Sequence, residues 1–170
     1  MTLGECPIAL SENNGFACID IRRGEVHVGD LENGVTSSRR LGAPIGAIAA
    51  TTDHRLLAAG PDGITVIDGD ERIAAPVLAD DLRFNDGKPD PAGRFVCGTM
   101  ADPPRAGAGT LWSFQAGVAT RLVADVTISN GLCWSFDGTT MFYIDTPTRR
   151  IDAFDYDPAS GVVSERRTVV

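Results

Sequence analysis

RFNDGKPDPAGRFVCGTM, residues 83–100, carries three kinds of chemistry in one short run. Arg83, Phe84, Asn85, Asp86 and Gly87 set a cation, an amide and a carboxylate beside a turn glycine. Asp90-Pro91-Ala92-Gly93 is a second turn signal, because each of these residue types favours turn backbone for its own steric reason. Phe95-Val96-Cys97-Gly98 reads as a short buried strand that runs into small residues. Polar groups crowded before a buried strand predict a loop on which a rigid sheet holds reactive side chains.

Working outward from this run, the same unit recurs along the chain: a turn, an apolar strand, a break and a second strand. Asn13-Asn14-Gly15 precedes FACIDI, then Arg23-Gly24 and EVHVGD. Thr52-Asp53-His54 precedes RLLAAG, then Pro61-Asp62-Gly63 and ITVIDG. Residues 90–93 precede RFVCGT, then an insert at 101–109 and TLWSFQ. Asp137-Gly138 precedes TTMFYID, then residues 146–149 and RIDAFDYD. In front of each copy lies a further apolar segment, at 6–10, 45–50, 82–85 and 128–134. The last three are spaced by roughly 40–45 residues, the length of a propeller blade. Apolar residues at helical spacing are absent, and 19 glycines with 10 prolines would interrupt them. The reading is an all-β chain, residues 1–170 as one domain of antiparallel repeats. Propeller blades suit it better than a sandwich, because the units resemble one another. Glu5, Asn85 and Asn130 each lead into an inner strand at an equivalent place, so repetition would gather them at one mouth of an axial channel.

Composition narrows the function classes. With 43% apolar residues in 170, the chain can bury a sizeable core. Its net charge of −8 repels phosphate backbones, which argues against a nucleic-acid partner and is compatible with cations. No apolar run approaches the ~18–20 residues of a membrane span, and the first residues carry no basic-then-apolar leader pattern, so a cytoplasmic location is expected. Cys6, Cys18, Cys97 and Cys133 show no CxxC spacing and read as small buried hydrophobes in a reducing compartment. His27 and His54 read as surface residues, and Trp112, Phe114, Trp134, Phe142 and Tyr143 as core. GxSxG, Walker A and HExxH patterns are absent, leaving serine hydrolase, nucleotide and zincin readings without support.

The run at 83–100, together with ISNGLCWSFDGTTMFYIDTPTRRIDAFDYD at 128–157, resembles the SMP-30/gluconolactonase/regucalcin family. Leu3-Gly4-Glu5-Cys6-Pro7 is similar to that family's N-terminal element. The resemblance implies a six-bladed β-propeller with one divalent cation in its channel, here an incomplete ring of about three and a half to four blades. It implies a metal-dependent hydrolase that opens sugar lactones, with a calcium-binding or interaction module without turnover as the alternative. Glu5 corresponds to the first metal ligand and Asn130 to the second. Arg83 and Asn85 correspond to residues that hold the lactone. The third ligand, which is also the general base, corresponds to an Asp beyond Val170, so no catalytic residue is assigned within the chain. Where some members carry a substrate-contacting Glu, this sequence has Pro103, with Asp102 adjacent.

These residue types suit that chemistry. A hard cation polarises a lactone carbonyl and takes oxygen donors, so Ca2+ is the first choice, with Mg2+, Mn2+ or Zn2+ as alternatives. Arginine offers a planar set of donors to sugar hydroxyls or to a developing oxyanion. Plainer readings stand beside these. Glu5 is a near-terminal solvated acid, Asn130 before Gly131 is a turn residue, and Asn85-Asp86-Gly87 is a hairpin turn. Arg83 pairs with Asp80 or Asp81 at the surface. Asp86 is the acid nearest the central run and a poor candidate for the base. An incomplete ring leaves sheet edges open, and such edges invite self-association.

Overall fold

A computed structural model describes residues 1–170 apart from 11–13, 68, 70 and 77. Asn13 of the first turn signal and Asp68 of ITVIDG lie outside the described residues. Among the described residues there are four antiparallel sheets of four strands each. The first contains β1 (Gly4–Ala9), β2 (Gly15–Asp20), β3 (Glu25–Asp30) and β4 (Gly34–Arg40), paired in that order. The second contains β5 (Ala47–Ala50), β6 (Leu56–Gly60), β7 (Gly63–Val66) and β8 (Arg72–Ala74). The third contains β9 (Leu82–Pro89), β10 (Phe95–Ala101), β11 (Gly109–Gln115) and β12 (Val118–Val126). The fourth contains β13 (Ser129–Trp134), β14 (Thr140–Asp145), β15 (Asp152–Tyr156) and β16 (Val163–Thr168). The first strands are neighbours in turn, β1 beside β5, β5 beside β9 and β9 beside β13. Meanders joined through their first strands are successive propeller blades. The one helical piece among the described residues is a 3-10 turn at Thr146–Thr148. None of the described helices is long and apolar enough to cross a membrane.

The core lies between the sheets. Ala17, Ile19, Ile48, Ala59, Phe84 and Cys97 belong to a cluster that joins the first three sheets. Val96, Leu111, Leu132, Met141 and Tyr143 belong to one that joins the third and fourth. Neighbours along β10 therefore serve opposite cores: Cys97 faces back and Val96 forward. Every residue of β10 is buried, which explains its continuous apolar run.

The structure corrects five expectations. The outermost strands β4, β8, β12 and β16 were not anticipated. β4, GVTSSRR, is exposed throughout, so it lacks the apolar alternation by which strands are read. Residues 83–89 form no loop or hairpin turn: they are strand β9, broken by a bulge. Cys133 is exposed and Cys18 half-buried, whereas Cys6 and Cys97 are buried; all four thiols are free. His27 is buried rather than superficial, with Nδ1 2.7 Å from Ser38 Oγ. Of the aromatics expected in the core, Phe114 and Tyr143 are buried, while Trp112, Trp134 and Phe142 are half-buried.

Burial pushes the Cys6 thiol up to about 11 and the Cys97 thiol well above the ordinary thiol value, so both are protonated at neutral pH. A thiol reagent at pH 7 is expected to modify Cys133 first, and Cys6 and Cys97 on unfolding. Counting thiols with and without denaturant checks this. Rapid modification of Cys97 in the folded chain would contradict the packing.

Candidate functional site

Three of the four inner strands carry a register break beside a residue singled out by sequence. In β1 the pairing steps from Glu5↔Ile19 to Ile8↔Ala17. In β9 it steps from Phe84↔Thr99 to Gly87↔Cys97, so Asn85 and Asp86 lie opposite Gly98 alone. In β13 it steps from Asn130↔Ile144 to Leu132↔Tyr143, leaving Gly131 as the extra residue. The pairing of β5 with β6 is regular. A bulge bends its strand and re-aims the side chains next to it, and bulges are common beside functional sites.

The register also shows which positions correspond. Ile21 N–H donates to the Leu3 carbonyl, Asp102 N–H to the Asp81 carbonyl, and Thr146 N–H to the Ile128 carbonyl. The next pairs inward are Gly4↔Asp20, Leu82↔Ala101 and Ser129↔Asp145. One residue further lie Glu5, Arg83 and Asn130. Glu5 and Asn130 thus share a place in the repeat, as expected. Arg83 occupies that place in the third sheet, whereas Asn85 lies further along, on the bulge.

Local contacts hold these side chains. Phe84 is buried, with its ring centroid 5.9 Å from that of Phe114 in an edge-on contact. Its alternation partners Arg83 and Asn85 therefore share the opposite face. Arg83 Nη1 donates to Asn85 Oδ1 and to the Phe84 carbonyl, both at 2.9 Å. Arg83 Nε donates to Asp102 Oδ2 at 3.3 Å. The partner of Arg83 is thus Asp102; Asp81 is paired with Arg105. Asn85 Nδ2 donates to the Ser129 carbonyl at 2.7 Å, which ties β9 to β13 one residue before Asn130. Asn130 Oδ1 accepts the Gly131 N–H at 3.1 Å, and Nδ2 donates to Thr146 Oγ1 at 3.0 Å. On the other flank the Cys6 thiol donates weakly to the Gly87 carbonyl, at 3.8 Å, and to the Ile48 carbonyl, at 3.5 Å.

The bulge of β9 is therefore the junction of the site. The segment of Glu5 reaches it through Cys6, and the segment of Asn130 through the Ser129 carbonyl. Arg83 and Asn85 touch directly; Glu5 and Asn130 are joined through β9. Two glycines allow this close approach. A methyl group on Gly46 would stand 2.2 Å from the Phe84 carbonyl carbon, and one on Gly98 would stand 1.7 Å from Ser129 Oγ. Asp86 is half-buried beside this junction and accepts the Gly87 N–H at 2.8 Å. Burial raises its carboxyl above the usual carboxylate range, against the Gly87 hydrogen bond and the Lys88 charge.

The oxygens these inner strands carry are a carboxylate on Glu5 and amide oxygens on Asn85, where Oδ1 already accepts from Arg83, and on Asn130, the kind a hard divalent cation takes. Among the described residues, no three His, Cys, Asp or Glu side chains gather into a metal-holding group. The set thus matches such a cation in kind and supplies part of a coordination shell in number. Sequence reasoning missed Asp102 and Thr146 as partners of Arg83 and Asn130. Each lies just past the end of a second strand, and no spacing rule joins it to the inner strand.

Regucalcin from Gallus gallus is 33% identical over 98% of this chain and 60% of its own length. A protein from Bacillus subtilis (strain 168) named putative sugar lactone lactonase YvrE is 33% identical over 98% of this chain and 59% of its own length. The crystal structure of a calcium-binding protein, regucalcin, from Agrobacterium tumefaciens str. C58 superposes with a TM-score of 0.91 at 28% identity. That superposition covers 99% of this chain and 59% of the other. The chain therefore spans about 60% of the length of these relatives. The family described as SMP-30/Gluconolactonase/LRE-like region matches residues 3–170, and the chain belongs to that family.

Proposed function

We propose that this chain contributes the lactone-facing and cation-facing half of a metal-dependent hydrolase that opens sugar lactones, of the gluconolactonase type. The observation that carries the reading is the junction at β9, where bulged inner strands bring Arg83, Asn85 and the segment of Asn130 to one place. The family membership and the sugar-lactonase name of the Bacillus relative support it.

In this reading Glu5 and Asn130 hold the cation, Ca2+ before Mg2+, Mn2+ or Zn2+. When bound, the cation supplies polarisation of the lactone carbonyl. Arg83 and Asn85 orient the sugar. The Asn85 amide is committed to the Ser129 carbonyl through Nδ2, and the Arg83 guanidinium is held at Nε and at Nη1. That leaves Nη2, which makes no hydrogen bond among the described residues, to meet a hydroxyl or a developing oxyanion. A carboxylate has to take the proton of the attacking water. We assign that role outside residues 1–170, as the family resemblance implies.

Calcium titration calorimetry of the wild-type chain, Glu5→Gln and Asn130→Ala tests the cation site. Each substitution is expected to weaken binding about tenfold or more, as losses near metal sites do. Unchanged affinity in both would overturn the assignment. Acid release from an aldonolactone, with and without EDTA, tests the chemistry. Hydrolysis that EDTA abolishes supports the enzyme. Where the carboxylate assigned outside residues 1–170 is also supplied, cation binding without hydrolysis favours a calcium-binding module, which the description of the Agrobacterium neighbour also supports. Sedimentation of the same sample reports on self-association through the open sheet edges: a species larger than one chain is expected.

A further inference from the structure

The geometry points to Asp102 and Thr146 as a matched pair of positioning residues for the third and fourth sheets: Asp102 orients Arg83, and Thr146 orients Asn130. The inference rests on the reading of Arg83 and Asn130 as ligand-facing groups given above. It starts from the register. Asp102 and Thr146 occupy one and the same place in the repeat, the first residue beyond the second strand, where each donates its N–H to the residue before the inner strand. Arg83 and Asn130 also share a place, one residue past the pairs Leu82↔Ala101 and Ser129↔Asp145. The side-chain bond therefore recurs with different chemistry. Arg83 Nε donates to Asp102 Oδ2 at 3.3 Å, and Asn130 Nδ2 donates to Thr146 Oγ1 at 3.0 Å.

Each bond removes a specific freedom. An arginine side chain has many rotamers, and ordering it costs rotamer entropy. Asp102 at Nε and Asn85 at Nη1 hold two nitrogens of the guanidinium, so the plane is set and Nη2 is the nitrogen left for a ligand. The pair is partly exposed, with 17% of the Arg83 side chain and 40% of the Asp102 side chain accessible, so its worth lies in orientation rather than in stability. For Asn130 the Gly131 N–H at Oδ1 fixes which end of the amide is oxygen, and Thr146 holds the nitrogen end. A second lone pair of Oδ1 then remains for a cation. In the first sheet the corresponding residue is Ile21, which has no polar group to offer Glu5. A carboxylate needs no such choice of end, because both of its oxygens accept.

The test reads the two side chains themselves and then a ligand. In 15N NMR of the chain, Asp102→Ala is expected to speed solvent exchange of the Arg83 Nε–H about tenfold. Thr146→Val is expected to do the same for the Asn130 side-chain amide, and Thr146→Ser to restore it. Unmoved signals in both variants would overturn the inference. Calcium affinity is expected to fall about tenfold in Thr146→Val and to fall no further when Thr146→Val is added to Asn130→Ala. A further loss in that background would show that Thr146 acts on something other than Asn130, and would overturn its half of the pair. If the NMR signals move as expected but the wild-type chain binds neither calcium nor a non-hydrolysable sugar lactam, the positioning stands and the lactonase reading falls.

Discussion

Arg94→Ala is expected to destabilise the chain by about 3–5 kcal/mol, the usual result of leaving one partner of a buried ion pair alone. Arg94 Nε donates to Asp90 Oδ2 at 2.6 Å, with the two side chains 5% and 0% exposed. The guanidinium also reaches out of the third sheet. Its Nη1 donates to the Ala159 carbonyl at 3.0 Å, and its Nη2 to the Pro158 carbonyl at 2.6 Å. Tyr156, from β15, donates its hydroxyl to the same Asp90 carboxylate. Burial, reinforced by that carboxylate, pushes the tyrosine hydroxyl up to about 12, so it remains a donor throughout the neutral range. Removing Arg94 strands the Asp90 charge and frees two carbonyls of the loop after β15. Urea unfolding of wild type, Arg94→Ala and Arg94→Lys measures it. The lysine variant is expected to lose less, because it keeps a charge near Asp90 and loses only the planar fork. A loss below about 1 kcal/mol in Arg94→Ala would place this clamp among ordinary surface pairs.

Gly46→Ala is expected to cost about 3 kcal/mol, at the upper end of ordinary overpacking. The added methyl group would meet three backbone atoms of Phe84 and Asn85 at 2.2–2.5 Å. No side chain can rotate to make room, so either β5 or β9 must shift. Gly60→Ala is the control: its methyl group meets Ile45 Cγ2 at 3.5 Å, an ordinary contact, and a change within about 1 kcal/mol is expected. Because Gly46 presses on the backbone of Asn85, the same substitution is expected to disturb the bond from Asn85 to the Ser129 carbonyl. The Asn85 side-chain amide signals therefore report displacement of the junction separately from lost stability. Equal stability in the two variants would mean that β5 and β9 do not approach this closely.

Much of the architecture was legible in the chain itself. Three of each sheet's four strands announce themselves by apolar runs bounded by turn residues, because a strand covered on one or both faces has to be apolar there. The run at 95–98 is continuous, without alternation, and it proved to be the strand with a core on each side. The outer strands of the first and fourth sheets stayed hidden for the opposite reason. GVTSSRR in β4 and VSERRT in β16 face water and need no apolar period.

The proposed site is legible as a list of residues and not as a shape. Glu5, Arg83, Asn85 and Asn130 stand out in their motifs, and the family resemblance proposes a role for each. Strand spacing predicts side chains by twos, however, and a bulge breaks that count by inserting one residue whose place no local signal marks. Hence the polar run at 83–87 reads as a loop although it is strand, and spacing points to Asn85 at the place in the repeat that Arg83 occupies. Which residue steadies Arg83 or Asn130, and which glycine lets β5 lie against β9, is decided only when separate strands fold together. Those contacts join residues 16–44 positions apart, across which composition and periodicity carry no information.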